Sequence, residues 1–162
     1  MKSILFVCTG NIFRSMTAEY AFKAALGADP LFRVSSAGTE AIPQAMVPFV
    51  QERLLQRGLD VSAHRQRRIT AEILAQTDLA VAMGVDHQTF LRRHFNCDAP
   101  LFNQICFGNA EPILDIWEAV PNYLHDRAAV TTYGVSVVDY ICEAMPRFLA
   151  NVEGFFTLEK SR

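Results

Sequence analysis

The stretch Ile4-Leu5-Phe6-Val7-Cys8-Thr9-Gly10-Asn11-Ile12-Phe13-Arg14-Ser15 decides how the rest of the chain is read. Its apolar run, closed by Thr-Gly-Asn turn chemistry, predicts a short buried strand over residues 3–8. The helix formers Ala18, Glu19, Ala21, Lys23, Ala24, Ala25 and Leu26 follow, and Gly27 with Pro30 beyond marks a helix end, so residues 15–26 read as a helix. A cysteine and an arginine with five residues between them therefore occupy a loop that joins the carboxyl end of a strand to the start of a helix.

That placement suits displacement at phosphorus. The reaction needs an ionised nucleophile, donors for three phosphoryl oxygens and an acid for the leaving group. A thiolate is favoured at a helix N-terminus, under backbone N–H groups and beside an arginine, and Cys8 is positioned for all three. Thr9, Gly10, Asn11, Ile12 and Phe13 would curl around the anion, with Gly10 and Asn11 tolerating the positive φ that curling requires. Arg14 offers two phosphoryl oxygens a planar fork. Ser15 can give the thiolate a hydroxyl hydrogen bond.

Further along, residues 32–36 suit a second strand, and Val47, Val50, Leu54 and Leu55 recur at helical spacing up to Gly58. Thr70 with Glu72 starts a short helix, residues 79–83 form a third strand, residues 86–94 a helix and residues 100–102 a fourth short strand. A last long element lies within residues 135–156, where Ile141, Met145, Phe148, Val152 and Phe155 make an apolar stripe and Pro146 should kink or break the helix. Strands alternating with helices predict one α/β domain spanning residues 1–162, a four-stranded parallel sheet with helices on both faces. Ligands in such folds bind beyond the carboxyl ends of the strands, where Cys8 stands.

With 162 residues, 51% hydrophobic and 20% charged, the chain is long and apolar enough to bury a real core. A net charge of −2 gives no reason to expect nucleic acid or an anionic membrane as partner. The basic runs His64-Arg65-Gln66-Arg67-Arg68 and Arg92-Arg93-His94 read as solvated faces. The N-terminal apolar stretch is too short for an export signal, and no segment approaches a membrane span. The four cysteines lack metal-site spacing and disulfide density, so a reducing cytoplasm is expected, with no metal or other cofactor.

Taken together, Val7–Ser15, Ser36-Ala37-Gly38-Thr39, Gly58-Leu59-Asp60-Val61-Ser62-Ala63-His64-Arg65 and Asp78-Leu79-Ala80-Val81-Ala82-Met83 resemble, in order and spacing, the low-molecular-weight protein tyrosine phosphatases. The resemblance implies a four-stranded parallel sheet, a phosphocysteine intermediate and no metal. It also implies that Ser36 and His64 hold the Asn11 region in its strained shape.

Three departures accompany it. Family members commonly carry a second cysteine where this chain has Phe13, so peroxide should carry Cys8 past the sulfenic stage more readily. An aromatic that flanks the substrate falls by gapless count on Ile42, with Met46 and Phe49 nearby. The general acid of the family is an aspartate followed by proline, and this chain has no Asp-Pro. Counting back from Val138-Asp139-Tyr140-Ile141 reaches Asp126, which is taken as the acid. Matching Val120-Pro121 instead reaches Asn122, which cannot protonate, and Asp115 is the further candidate. Trp117 and Tyr123 are the nearest aromatics.

The resulting expectation is a phosphomonoester hydrolase acting on phosphotyrosine in proteins, with Cys8, Arg14 and Asp126 catalytic. Two alternatives stand beside it: a phosphotyrosine-binding module with weak turnover, and a thiol-dependent arsenate reductase. The second would need a cysteine relay near Met83-Gly84, where none occurs.

Overall fold

The computed structural model describes residues 1–28 and 31–156, so Pro30 lies outside the described residues. Three parallel strands, β1 (Lys2–Cys8), β2 (Phe32–Gly38) and β3 (Leu79–Ala82), form a sheet in the order β2-β1-β3. Cys8 pairs with Gly38, and Val7 with Ala82. The chain leaves β1 toward β2 on one side and later returns as β3 on the other. The carboxyl end of β1 is therefore the point where strand order reverses, the usual ligand position in open α/β sheets.

The expected fourth strand is corrected to a single parallel bridge, Ala82 to Leu101, in which the Ala82 N–H donates to the Pro100 carbonyl at 2.9 Å. Pro100 has no N–H to extend a ladder, and the chain turns directly into the helix α5 at Phe102.

Alternation along the buried strand sends its residues to opposite layers. Ile4, Phe6 and Cys8 face a core shared with α1 (Arg14–Leu26), α2 (Pro48–Gln56), α5 (Phe102–Phe107) and α7 (Arg127–Asn151). Leu5 and Val7 face Ile69, Leu91 and Leu101, with α3 (Ala71–Ala75) and α4 (Val85–Phe95) on that side. The Phe6 ring lies 5.3 Å from the Phe148 ring and 6.2 Å from the Phe22 ring, tying β1 to both α7 and α1.

The long C-terminal helix begins earlier than its apolar stripe suggests, at Arg127, and runs through Pro146 to Asn151 without a break. Pro146 is on its exposed face, while Ile141, Met145, Phe148 and Val152 are buried as the stripe requires. A short helix, α6 (Ile116–Ala119), lies on the loop between α5 and α7. No helix among the described residues is long and apolar enough to cross a membrane.

Candidate active site

The loop after β1 is held in shape from outside. Its successive carbonyls are taken up by flanking segments. Cys8 O accepts from Thr39 N–H at 2.9 Å, Thr9 O from Glu40 N–H at 3.0 Å, Gly10 O from Gln66 Nε2 at 2.7 Å and Asn11 O from His64 Nε2 at 2.7 Å. Asn11 sits in the left-handed region at φ 57°, fully buried, and its side chain repays the strain with three hydrogen bonds. Its Nδ2 donates to Ser36 Oγ at 2.8 Å and Ser15 Oγ at 3.1 Å, and its Oδ1 accepts from Arg67 N–H at 3.0 Å. Ser36 in turn donates to Glu19. Gly38 makes the crossing possible: a Cβ there would meet Thr9 O at 2.4 Å.

Cys8 and Ser15 meet at the base of the loop, with Sγ and Oγ 2.9 Å apart. Arg14, in the first turn of α1, is 1% exposed. Its Nη1 donates to Ile113 O at 2.8 Å and its Nη2 to Asp115 Oδ2 at 2.9 Å. Asp115 is the N-cap of α6, where its other oxygen accepts Ile116 N–H at 2.7 Å. The segment carrying it is braced twice more, by Ile113 N–H on Met83 O at 2.9 Å and by Tyr133 Oη on Leu114 O at 2.6 Å. Trp117 and Tyr123 stand exposed nearby in sequence. Beside the loop at Ile12 opens a cleft of about 480 Å³, lined also by Pro43, Gln44, Met46, His64 and Arg65.

Among the sequence candidates, Cys8, Thr9, Gly10, Asn11, Ile12, Phe13, Arg14 and Ser15 share this one loop and helix start. Phe13 is buried in the core that also holds Cys8. Asp126 is elsewhere in its bonding: it is exposed at the N-cap of α7, and its carboxylate accepts Ala129 N–H at 2.9 Å. Among the described residues, the carboxylate that reaches Arg14 is Asp115. Sequence reading placed no role on His87, which is buried and 2.9 Å from Thr9 Oγ1. A lone histidine inside a polar helical stretch carries no signal in its spacing.

Residues 3–106 match the model of the family described as low molecular weight phosphotyrosine protein phosphatase. A probable low molecular weight protein-tyrosine-phosphatase, EpsP of Ralstonia solanacearum, is 38% identical over 85 residues, covering 52% of this chain and 57% of that protein. Arsenate reductase 2 of Staphylococcus haemolyticus is 39% identical over 85 residues, covering 52% of this chain and 62% of its own. The matched stretch thus spans about three fifths of these curated relatives. A solved YwlE arginine phosphatase, in a mutant form with a phosphorylated active-site serine, superposes with a TM-score of 0.76 at 25% identity, covering 99% of this chain and 97% of the other. The match to the family model takes in both β1 with its loop and β3, and on it the chain belongs to the low molecular weight phosphotyrosine protein phosphatase family.

Proposed function

We propose that this protein hydrolyses phosphotyrosine in proteins through a phosphocysteine intermediate, with Cys8 as nucleophile, Arg14 as phosphoryl clamp and Asp115 as general acid. The observation that carries this reading is the Arg14–Asp115 contact, which joins the arginine of the loop to a carboxylate on a separate, braced segment. Carbonyls of residues 8–11 drawn outward leave the opposite side of the loop to its N–H groups, the arrangement of an anion nest.

In the first step the Cys8 thiolate forms a bond to phosphorus as the bond from phosphorus to the phenolic oxygen breaks. Arg14 and the loop amides hold the three equatorial oxygens, and protonated Asp115 gives its proton to the leaving oxygen. In the second, water attacks phosphorus, the sulfur leaves as thiolate toward the Ser15 hydroxyl, and Asp115 takes the water's proton. The products are tyrosine and inorganic phosphate, and the enzyme is restored.

The proposal takes Asp115 as the acid in preference to Asp126, whose carboxylate accepts Ala129 N–H at the start of α7. A reachable acid weakens the case for a binding module without turnover. The arsenate reductase reading needs a thiol relay. Cys97 donates to Asp98 O, and buried Cys106 donates to Ala144 O with its thiol pushed up to about 12 by burial.

Kinetics on p-nitrophenyl phosphate and a phosphotyrosine peptide, with phosphoarginine as a third probe, test the proposal. Cys8→Ser should abolish turnover, Asp115→Asn should slow it and Asp126→Asn should leave it near wild type. The apolar wall of Ile12, Pro43 and Met46 suits a phenyl ring better than a hydrated guanidinium, so phosphoarginine should be the poorer substrate. Preference for phosphoarginine, or a reversed order of the two aspartate variants, would overturn the corresponding part of the assignment.

A further inference from the structure

The first turn of α4 carries a histidine that the two-step reaction does not use. His87 is 1% exposed. Its Nδ1 accepts the Gly84 N–H at 2.9 Å, so the neutral ring bears its proton on Nε2. That nitrogen lies 2.9 Å from Thr9 Oγ1, and the ring is the donor. The fit is close: a Cβ on Gly84 would come within 3.2 Å of His87 Nδ1 and 2.6 Å of Asp86 Oδ1. Burial, with the Arg14 cation next in effect, lowers the His87 pKa to about 4, which keeps the ring in this neutral form at physiological pH.

The segment that presents His87 also grips the loop from both sides of Cys8. Met83 N–H donates to Val7 O at 3.0 Å, and Met83 O accepts from Ile113 N–H, whose residue is in turn held by Arg14. The turn after β3 is thus joined to the residue before the nucleophile, to the residue after it and, through Ile113, to the phosphoryl clamp.

We propose that His87 is a positioning residue for the phosphate-binding loop, its Nε2–H fixing the Thr9 hydroxyl and with it the first turn of the loop above Cys8. The proposal rests on the reading of this loop as the phosphoryl site. A purely structural role would work through the other nitrogen, which ties the ring to the start of α4. The two roles are separable because they use different atoms. His87→Gln can keep a donor near the Nε2 position, whereas His87→Asn keeps an acceptor near Nδ1 and removes the donor to Thr9.

The test is inhibition by inorganic phosphate together with kcat and KM on p-nitrophenyl phosphate for wild type, His87→Gln, His87→Asn, Thr9→Val and the Asn/Val double variant. Loss of one such hydrogen bond should raise the phosphate inhibition constant about tenfold in His87→Asn and in Thr9→Val, with kcat falling alongside. The double variant should be no worse than either single one, and His87→Gln should stay within about threefold of wild type. Equal losses in the glutamine and asparagine variants, or wild-type phosphate inhibition in Thr9→Val, would overturn the proposal. Thr9→Val leaves the His87 bond to Gly84 in place, so wild-type phosphate inhibition in that variant overturns the proposal even if the histidine variants fail to fold. A wild-type protein that neither binds phosphate nor turns over would instead sink the reading of the loop itself, and this proposal with it.

Discussion

Arg14 Nη2 and Asp115 Oδ2 lie 2.9 Å apart, although they stand 101 positions apart in the chain. The arginine is almost wholly buried and the aspartate is 23% exposed. A guanidinium taken out of water needs a partner, and here the partner is a carboxylate poised at the edge of solvent. The same donors are what a phosphoryl oxygen requires. On the proposed mechanism, carboxylate and phosphoryl group would compete for one guanidinium, and binding of substrate would free the acid beside the breaking bond.

Removing that carboxylate should separate binding from chemistry. In Asp115→Asn, kcat on p-nitrophenyl phosphate should fall by about a hundredfold or more, the scale of a lost general acid. Inorganic phosphate should bind more tightly at the same time, because an amide competes for Arg14 less well than a carboxylate. Steady-state kinetics and product inhibition read both effects. Unchanged kcat would place the acid elsewhere.

Asp126 should behave as a helix cap. Its carboxylate accepts Ala129 N–H at the start of a 25-residue helix, so Asp126→Ala should cost about 1 kcal/mol of stability. Urea denaturation measures this. Turnover should stay within about twofold of wild type, since capping energies act on the fold and not on the reacting bond.

The contrast between these two aspartates shows where sequence reading stops. The loop after β1 was legible because its signals are local: an apolar run, turn residues and helix formers follow one another within 26 residues. The Asp115–Arg14 contact is long-range, and no periodicity or spacing announces it. Residues 100–102 read as a strand from their apolar character, but Pro100 and the immediate turn into α5 leave a single bridge. Helices α5 and α6 leave no signal in the sequence because six and four residues are too short to show a period; burial of Phe102, Ile105 and Cys106 supports the first, and the Asp115 cap the second. The first turns of α7 contain Thr131, Thr132 and Gly134, poor helix formers that hid an early start.

Gly134 is there for packing. It faces α2, and a Cβ at this position would lie 2.3 Å from Phe49 Cε2. In an open helix Gly→Ala gains about 1 kcal/mol. Here the added methyl must push an aromatic ring, so Gly134→Ala should destabilise the fold by about 1–3 kcal/mol. Pairing it with Phe49→Leu should recover part of the loss, and thermal melts of the three variants would show it.

His87 should leave a mark on acid stability. Its folded pKa of about 4 lies below the ordinary 6.5, so between those values the unfolded chain binds the proton and the folded one does not. Stability from this group is full above pH 6.5 and falls as the pH drops toward 4, by up to about 3 kcal/mol. Arg14 opposes the charged ring, while Asp86 and Asp115 favour it. Denaturation midpoints from pH 4 to 7 for wild type and His87→Gln isolate the effect, because carboxylates common to both cancel in the difference. Parallel pH profiles would mean that His87 does not titrate on unfolding.

Peroxide should abolish the proposed turnover beyond recovery by thiols. A sulfenic acid at Cys8 is protected only if a second thiol condenses with it, forming a disulfide and releasing water. Phe13 fills the adjacent position and is packed into the core, and the remaining cysteines are engaged elsewhere. Cys97 and Cys106 donate to backbone carbonyls, and Cys142, its pKa raised by burial, lies beside the Arg53–Arg57–Asp139 ion pairs. Mass spectrometry should therefore find sulfinic and sulfonic Cys8 after a short peroxide pulse, with little activity returned by dithiothreitol. Phe13→Cys tests the cause directly: it should divert the sulfenic acid to a disulfide and make inactivation reversible. Full recovery of the wild-type protein, with a Cys8 disulfide to any of the other three cysteines, would mean that the loop rearranges far enough to reach a partner outside it.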